Sequence, residues 1–228
     1  MYVLKSAHLA TSPEPPEPSV ESLFDGRPLE LAPPGRALFW EGDPARDLLQ
    51  VVRGMVRVQR ILFDGRRAVA GFLGPGDVLG LCFSDTYLFT AEAVTETAVR
   101  RAPRAALQGM VQRLPELRPA FVDRMRDEIC AAQEQLLILL HQCADERLAR
   151  FLLAMARRLV GEPRAGLELT LPMPRADIAD HLGLTVETVC RSMTKLRAQK
   201  VIRLLGPAHV VVENPARLLA LAGEPPGP

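Results

Sequence analysis

The sequence predicts an α+β chain with an N-terminal antiparallel β-roll (jelly roll), a long helix and a C-terminal winged helix-turn-helix. Three observations predict it. Glycines cut residues 20–100 into short apolar runs, a heptad-spaced apolar stripe occupies 122–143, and residues 174–213 read as two short helices followed by a hairpin.

The first element is the roll. Residues 1–18 contain the Pro- and Glu-rich run TSPEPPEP and are expected to form a flexible tail. Residues 19–115 then carry Gly35, Gly42, Gly54, Gly65, Gly71, Gly74, Gly76 and Gly80 between the runs LLQVVRG, MVRVQRIL, RRAVAGFL and AEAVTETAVRR. Met55 to Ile61 alternates in part, as a half-buried strand does. Phe63-Asp64-Gly65-Arg66 is a hairpin turn between two strand-like runs.

The second element, 116–143, is helical. Val122, Met125, Ile129, Ala132, Leu136, Leu139 and Cys143 recur at alternating spacings of 3 and 4. That is an a/d seam, and it predicts a dimerisation helix paired with its twin. The stripe widens at Phe121, Leu137 and Leu140, so packing on the chain's own roll stays open as an alternative.

The third element, 144–223, starts with Asp145 as an expected N-cap and the amphipathic run ERLARFLLAMARRL, which stops near Gly161-Glu162-Pro163. LELTLPM is a short strand. In PRADIADHLGLTVETVCRSMTKLRAQK (174–200), Pro174 opens a helix with Ile178, Ala179 and Leu182 on its apolar face. Gly183 breaks that helix. Thr185 caps a second one with Val189, Met193 and Leu196 at helical spacing. Small Ala179 allows close approach, and Val189 fills the space between the helices. Two apolar runs meeting at Gly206-Pro207 form the wing, and Asn214-Pro215 opens a last short helix ending at Gly223. Residues 224–228 are a second tail.

Composition limits the function. The chain has 228 residues, 48% of them hydrophobic, and a net charge of +1, so any polyanion-binding surface must be local. Residues 175–203 supply it, with six basic side chains (Arg175, Arg191, Lys195, Arg197, Lys200, Arg203) against Asp177, Asp180 and Glu187. Glu187 and Arg191 share a helix face. An arginine can read guanine O6 and N7, and a glutamate can accept from cytosine N4. Taken apart from the motif, they would form an ordinary exposed ion pair. Within a helix-turn-helix, Val186, Glu187, Cys190 and Arg191 are candidate base readers, and Thr185, Ser192 and Lys195 candidate phosphate contacts. The start of the chain lacks the long apolar core of a signal peptide, and no apolar run could span a bilayer. The expectation is a cytoplasmic protein, with no membrane partner and with Cys82, Cys130, Cys143 and Cys190 reduced.

From residue 19 onward the chain resembles the CRP/FNR family of bacterial regulators, most specifically in ADIADHLGLTVETVCR. It is similar to the FNR/FixK branch, whose recognition helix carries Glu-x-x-Ser-Arg. Glu187, Cys190 and Arg191 occupy those places, and Val186 stands where the cyclic-AMP receptor branch has a further base-reading arginine. The resemblance implies a transcription activator, not an enzyme. Its implied partners are palindromic double-stranded DNA with TTGAT-type half-sites, a second copy of the chain as a homodimer, and RNA polymerase. Two family features are missing. No cysteine precedes Cys82, so an FNR-type iron–sulfur cluster lacks its ligands. The stretch DVLGLCFSDTYLFTAEAV has no arginine, and Leu81 replaces the glutamate that helps hold a cyclic nucleotide. No cofactor is expected. A small-ligand or haem sensor of the same family, with Cys82 as axial ligand, is an alternative reading. A cupin-like metalloenzyme would need clustered histidines, but His8, His141, His181 and His209 all lie outside 20–100. Cys190 is open to two readings: a neutral packed thiol where serine would serve equally, or a redox switch whose oxidation would add bulk and charge on the reading helix.

Overall fold

The structure is a computed structural model that describes residues 20–81, 84–113, 126, 133 and 143–224. These divide into two compact units, one drawn from residues 1–60 and 70–133 and the other from 61–69 and 134–228.

The expected antiparallel roll lies in the first unit except for its 61–69 hairpin, which groups with the second. A 3-10 turn at Val20–Phe24 precedes strands β1 (Leu29–Ala32), β2 (Ala37–Phe39), β3 (Asp47–Arg53), β4 (Val56–Ile61), β5 (Arg67–Leu73), β6 (Val78–Leu79), β7 (Thr90–Ala93) and β8 (Thr97–Pro103). They form two four-stranded sheets ordered β1-β8-β3-β6 and β2-β7-β4-β5. Alternation aims Leu49 and Val51 of one sheet and Val56, Val58 and Ala91 of the other into a shared core with Leu79 and Val99. Each fully buried Val or Leu contributes roughly 1.5–3 kcal/mol. The rings of Phe39 and Tyr87 stack there at 3.8 Å. The Tyr87 hydroxyl donates to the Asp47 carbonyl at 2.8 Å, which satisfies the polar end of an otherwise buried ring. Gly54 turns β3 into β4 at φ +89°, where a Cβ would lie 2.4 Å from the Glu96 carbonyl oxygen, so only glycine fits. The Asp-Gly hairpin joins β4 to β5 as expected, with Leu62 N–H donating to Arg66 O at 2.8 Å. Helix α1 (Arg104–Arg113) follows β8, and Leu107 packs on Leu23, Phe24 and Leu48.

The second unit contains α2 (Ala144–Leu159), β9 (Leu167–Thr170), α3 (Arg175–Leu182), α4 (Val186–Ala198), β10 (Ile202–Leu204), β11 (His209–Val212) and α5 (Pro215–Leu221). Leu148, Leu152 and Ala156 of α2 are buried together with Ile178, Val189, Leu196 and Leu218. β11 lies between β9 and β10 in a three-stranded sheet. In this unit Arg67 bonds Asp180 at 2.8 Å and Asp177 at 2.5 Å, and Asp177 is only 1% exposed. His181 Nδ1–H donates to the Val69 carbonyl at 3.1 Å, and Phe151 lies 5.8 Å away, ring to ring. Burial holds the His181 imidazole below its ordinary pKa.

Two cap assignments differ from the sequence reading. The N-cap of α2 is Cys143, not Asp145, because Glu146 reaches back to the Cys143 N–H at 2.8 Å and thereby starts the helix two residues earlier. Pro174 is the N-cap of α3 rather than its first helical residue, since its ψ of 160° is extended. The seam positions Val122, Met125, Ile129, Ala132, Leu136 and Leu139 lie outside the described residues, as do Cys82, Cys130, His8 and His141.

Candidate nucleic-acid interface

The motif is built on two backbone devices. α3 ends at Gly183, which adopts the left-handed conformation (φ 64°, ψ 37°) that β-carbon-bearing residues resist. Thr185 then caps α4, its hydroxyl accepting the Thr188 N–H at 3.2 Å. These fix the two helices at a short turn, as the sequence predicts. The inner face of α4 is buried through Val189, Met193 and Leu196, against Ile178, Ala179 and Leu182 of α3. Val189 is 0% exposed, as a residue wedged between the helices should be.

The outer face gathers the expected readers. Val186 is 39% exposed, and Glu187, Cys190 and Arg191 are exposed with it. Cys190, Arg191, Thr194, Lys195 and Ala198 line one shallow depression on this face. The Arg191 guanidinium donates to the Thr188 hydroxyl at 3.1 Å, and that hydroxyl lies 3.1 Å from the Thr185 hydroxyl. Glu187 is held below the usual carboxylate range by its own backbone N–H, the Thr185 hydroxyl and the Arg191 charge. So Glu187 and Arg191 are oriented by threonines. Those neutral partners hold a charge less strongly than a carboxylate would.

Two expected phosphate contacts take other places. Ser192 is 3% exposed, and its hydroxyl bonds the Asp145 carboxylate. It sits on the packed side of α4, so it does not face solvent where a phosphate would lie. Lys195 is on the outer face but forms an ion pair with Asp145. Thr185 remains exposed beside Val186. Cys143, the last position of the expected seam, is exposed at the start of α2.

Sequence reasoning missed the roles of three residues, Thr188, Asp145 and Arg175. Thr188 lies one helical turn after the cap and one before Arg191, a spacing that could have marked it. Asp145 and Lys195 are fifty residues apart, and no local pattern joins them. Arg175, at the start of α3, donates to the Pro207 carbonyl at 2.8 Å and so ties the wing turn to the motif. In the wing, β10 and β11 pair Ile202 with Val212 and Leu204 with Val210, and Arg203 bonds Glu213 at 3.0 Å.

Comparison with known proteins adds to this geometry. Residues 146–221 match the Crp-like helix-turn-helix domain, and residues 29–114 match the cyclic nucleotide-binding domain. The transcriptional activatory protein AadR of Rhodopseudomonas palustris is 39% identical over 83% of this chain and 79% of its own length. The nitrogen fixation regulation protein FixK of Rhizobium meliloti is 39% identical over 82% of this chain and 84% of its own. The structure of FixK2 from Bradyrhizobium japonicum aligns with a TM-score of 0.79 at 35% identity, covering 86% of this chain and 96% of that one.

Proposed function

The chain belongs to the CRP/FNR family of helix-turn-helix transcription regulators, and we propose that it is a FixK-type activator that binds palindromic TTGAT-type DNA as a homodimer. The observation that carries this reading is the outer face of α4, where Val186, Glu187, Cys190 and Arg191 are exposed over a buried Val189–Met193–Leu196 stripe. α4 enters the major groove. Arg191 binds guanine O6 and N7, Glu187 accepts from cytosine N4, and Val186 and Cys190 supply the small contacts between them. Thr185 lies toward the phosphates, Lys195 stands on the same face but is paired with Asp145, and Ser192 is left to the packing.

In the same reading residues 19–115 are the roll, 116–143 the dimerisation helix with Val122, Met125, Ile129, Ala132, Leu136, Leu139 and Cys143 as its seam, and 144–223 the DNA-binding domain. The two-fold of that helix sets half-sites about one helical turn apart, roughly 10 base pairs. RNA polymerase is the further partner that activation requires, and DNA as target places the protein in the cytoplasm. No helix among the described residues is long and apolar enough to cross a membrane. The match of 29–114 to the cyclic nucleotide-binding domain concerns the roll, and the residues give little support to a cyclic phosphate there. Leu81 and Phe89 of that stretch are apolar and carry no charge to set against a phosphate.

Selection of bound sequences from random duplex DNA tests the reading. The expected product is an inverted TTGAT-type repeat. A direct repeat, or no enrichment, would remove it. Exposed Cys190 on the reading face also supports redox sensitivity. Peroxide should abolish binding by the wild type and spare Cys190→Ser, and equal loss in both would take Cys190 out of the mechanism.

A further inference from the structure

Asp145 stands in the first turn of α2, and its carboxylate has two partners on α4, the Lys195 ammonium and the Ser192 hydroxyl. The two ends of the ion pair are not equivalent. The Asp145 side chain is 17% exposed and that of Lys195 is 60% exposed. Ser192 is buried, and the start of α2 is pinned by the Glu146 bond to the Cys143 N–H. The acid is therefore the fixed partner and the ammonium the mobile one.

We propose that Asp145 is a charge mask on the DNA-facing surface, holding Lys195 off the phosphate backbone and so limiting how tightly the protein grips DNA of any sequence. The inference rests on reading α4 as the helix that faces DNA. A lysine on that helix, one turn beyond Arg191, would neutralise one phosphate and release its counterion. Paired with Asp145 it has no net charge to give. It cannot leave the pair cheaply, because a largely buried carboxylate would remain with only a serine hydroxyl and would face the phosphates. Sharing the ammonium between carboxylate and phosphate would bring two anions together. Burial pulls the Asp145 carboxyl upward, but Lys195 and Ser192 outweigh it and hold it below the usual range. Asp145 in turn raises Lys195, so the pair stays ionised at neutral pH. Since phosphate contacts carry no sequence information, the mask lowers affinity for all DNA and leaves the discrimination by Glu187 and Arg191 intact.

The test measures full-length wild type and Asp145→Asn on the duplex selected by the wild type and on a random duplex, across a salt series. Asn keeps the shape and can still accept from Ser192. Asp145→Ser serves as a second variant should Asn disturb the melt. Removing the mask should tighten both complexes by a similar factor, roughly threefold or more, and steepen the log–log salt slope by about 0.9 per subunit. Lys195→Gln added to Asp145→Asn should return the slope to the wild-type value. Weaker binding by Asp145→Asn would mean that Asp145 aims Lys195 at a phosphate, and an unchanged slope would mean that Lys195 is not masked. Either result overturns the mask while leaving selective binding in place. A wild type with no sequence preference would overturn the recognition-helix reading and the mask with it.

Discussion

The roll and the recognition helix use charged side chains in different ways. In the roll, charges close on one another. Arg57 and Glu92 pair at 2.7 Å with both side chains at most 17% exposed, Gln59 adds a bond to the same carboxylate at 2.9 Å, and Arg101 bridges Glu30 and Asp47. On α4, Arg191 and Glu187 rest on threonine hydroxyls. A charge held by an opposite, half-buried charge is part of the scaffold, because removing its partner strands it in a poor solvent. A charge held by a neutral hydroxyl is oriented at little cost and can exchange that partner for a base. α4 carries both kinds of charge, since Lys195 is held by the Asp145 carboxylate while Arg191 and Glu187 rest on hydroxyls.

The largest effect should come from breaking the scaffold side. Leu196→Ala, at a position 0% exposed, should cost about 2–5 kcal/mol of stability and abolish binding only through unfolding. A urea melt with an unchanged midpoint would show that the inner face does not hold the motif. Arg191→Ala should do the opposite. It should leave the melt in place, lose roughly 1–3 kcal/mol of binding at each half-site, and relax the preference for one G·C pair. Wild-type affinity and preference in this variant would place base reading elsewhere.

In the roll, Glu92→Gln should lower stability by about 1–3 kcal/mol, because Arg57 loses a charged partner in a half-buried place. DNA affinity measured well below the melting range should not change. If affinity changes more than stability, the pairing in the roll is not merely structural.

The smallest effect concerns acid. His181 has a folded pKa below its ordinary 6.5, mainly through burial. Below that ordinary value the unfolded chain takes up a proton that the native ring refuses, so stability falls as pH falls through this range and levels off below the native pKa. At neutral pH and above the contribution is fully present. His181→Gln should flatten the difference between urea midpoints at pH 7.5 and pH 5. A variant with the wild-type slope would assign the acid sensitivity to other groups.

Much of this architecture was legible because it is local. Gly183, Thr185 and Asn214 announce their caps in the sequence, and Val189 and Leu196 announce their burial by spacing. The roll was legible from its turns, including the Asp-Gly hairpin. That Glu187 and Arg191 share an exposed face was legible from their separation on one helix. What escaped depends on tertiary packing. A serine at 192 reads equally well as a surface hydroxyl or an inward one, and the rotation of α4 against α2 decides between them. Asp145 reads as a cap from composition, yet Glu146 closes the helix start and leaves Asp145 available to Lys195.

The sheet of the second unit also bears on how the protein is made. β9 comes before the reading helix in the chain, whereas its hydrogen-bonding neighbour β11 comes after it, and β11 is the central strand. On a translating ribosome, residues 167–170 emerge with no strand to pair with, and α3 and α4 emerge next without the hairpin whose Pro207 carbonyl holds Arg175. Only when residues 209–212 clear the exit tunnel can the three strands join around the motif. A nascent chain is thus kept from completing the sheet around its helix-turn-helix until residues 209–212 have been made, and a chain cut before them has β9 without its pairing strand.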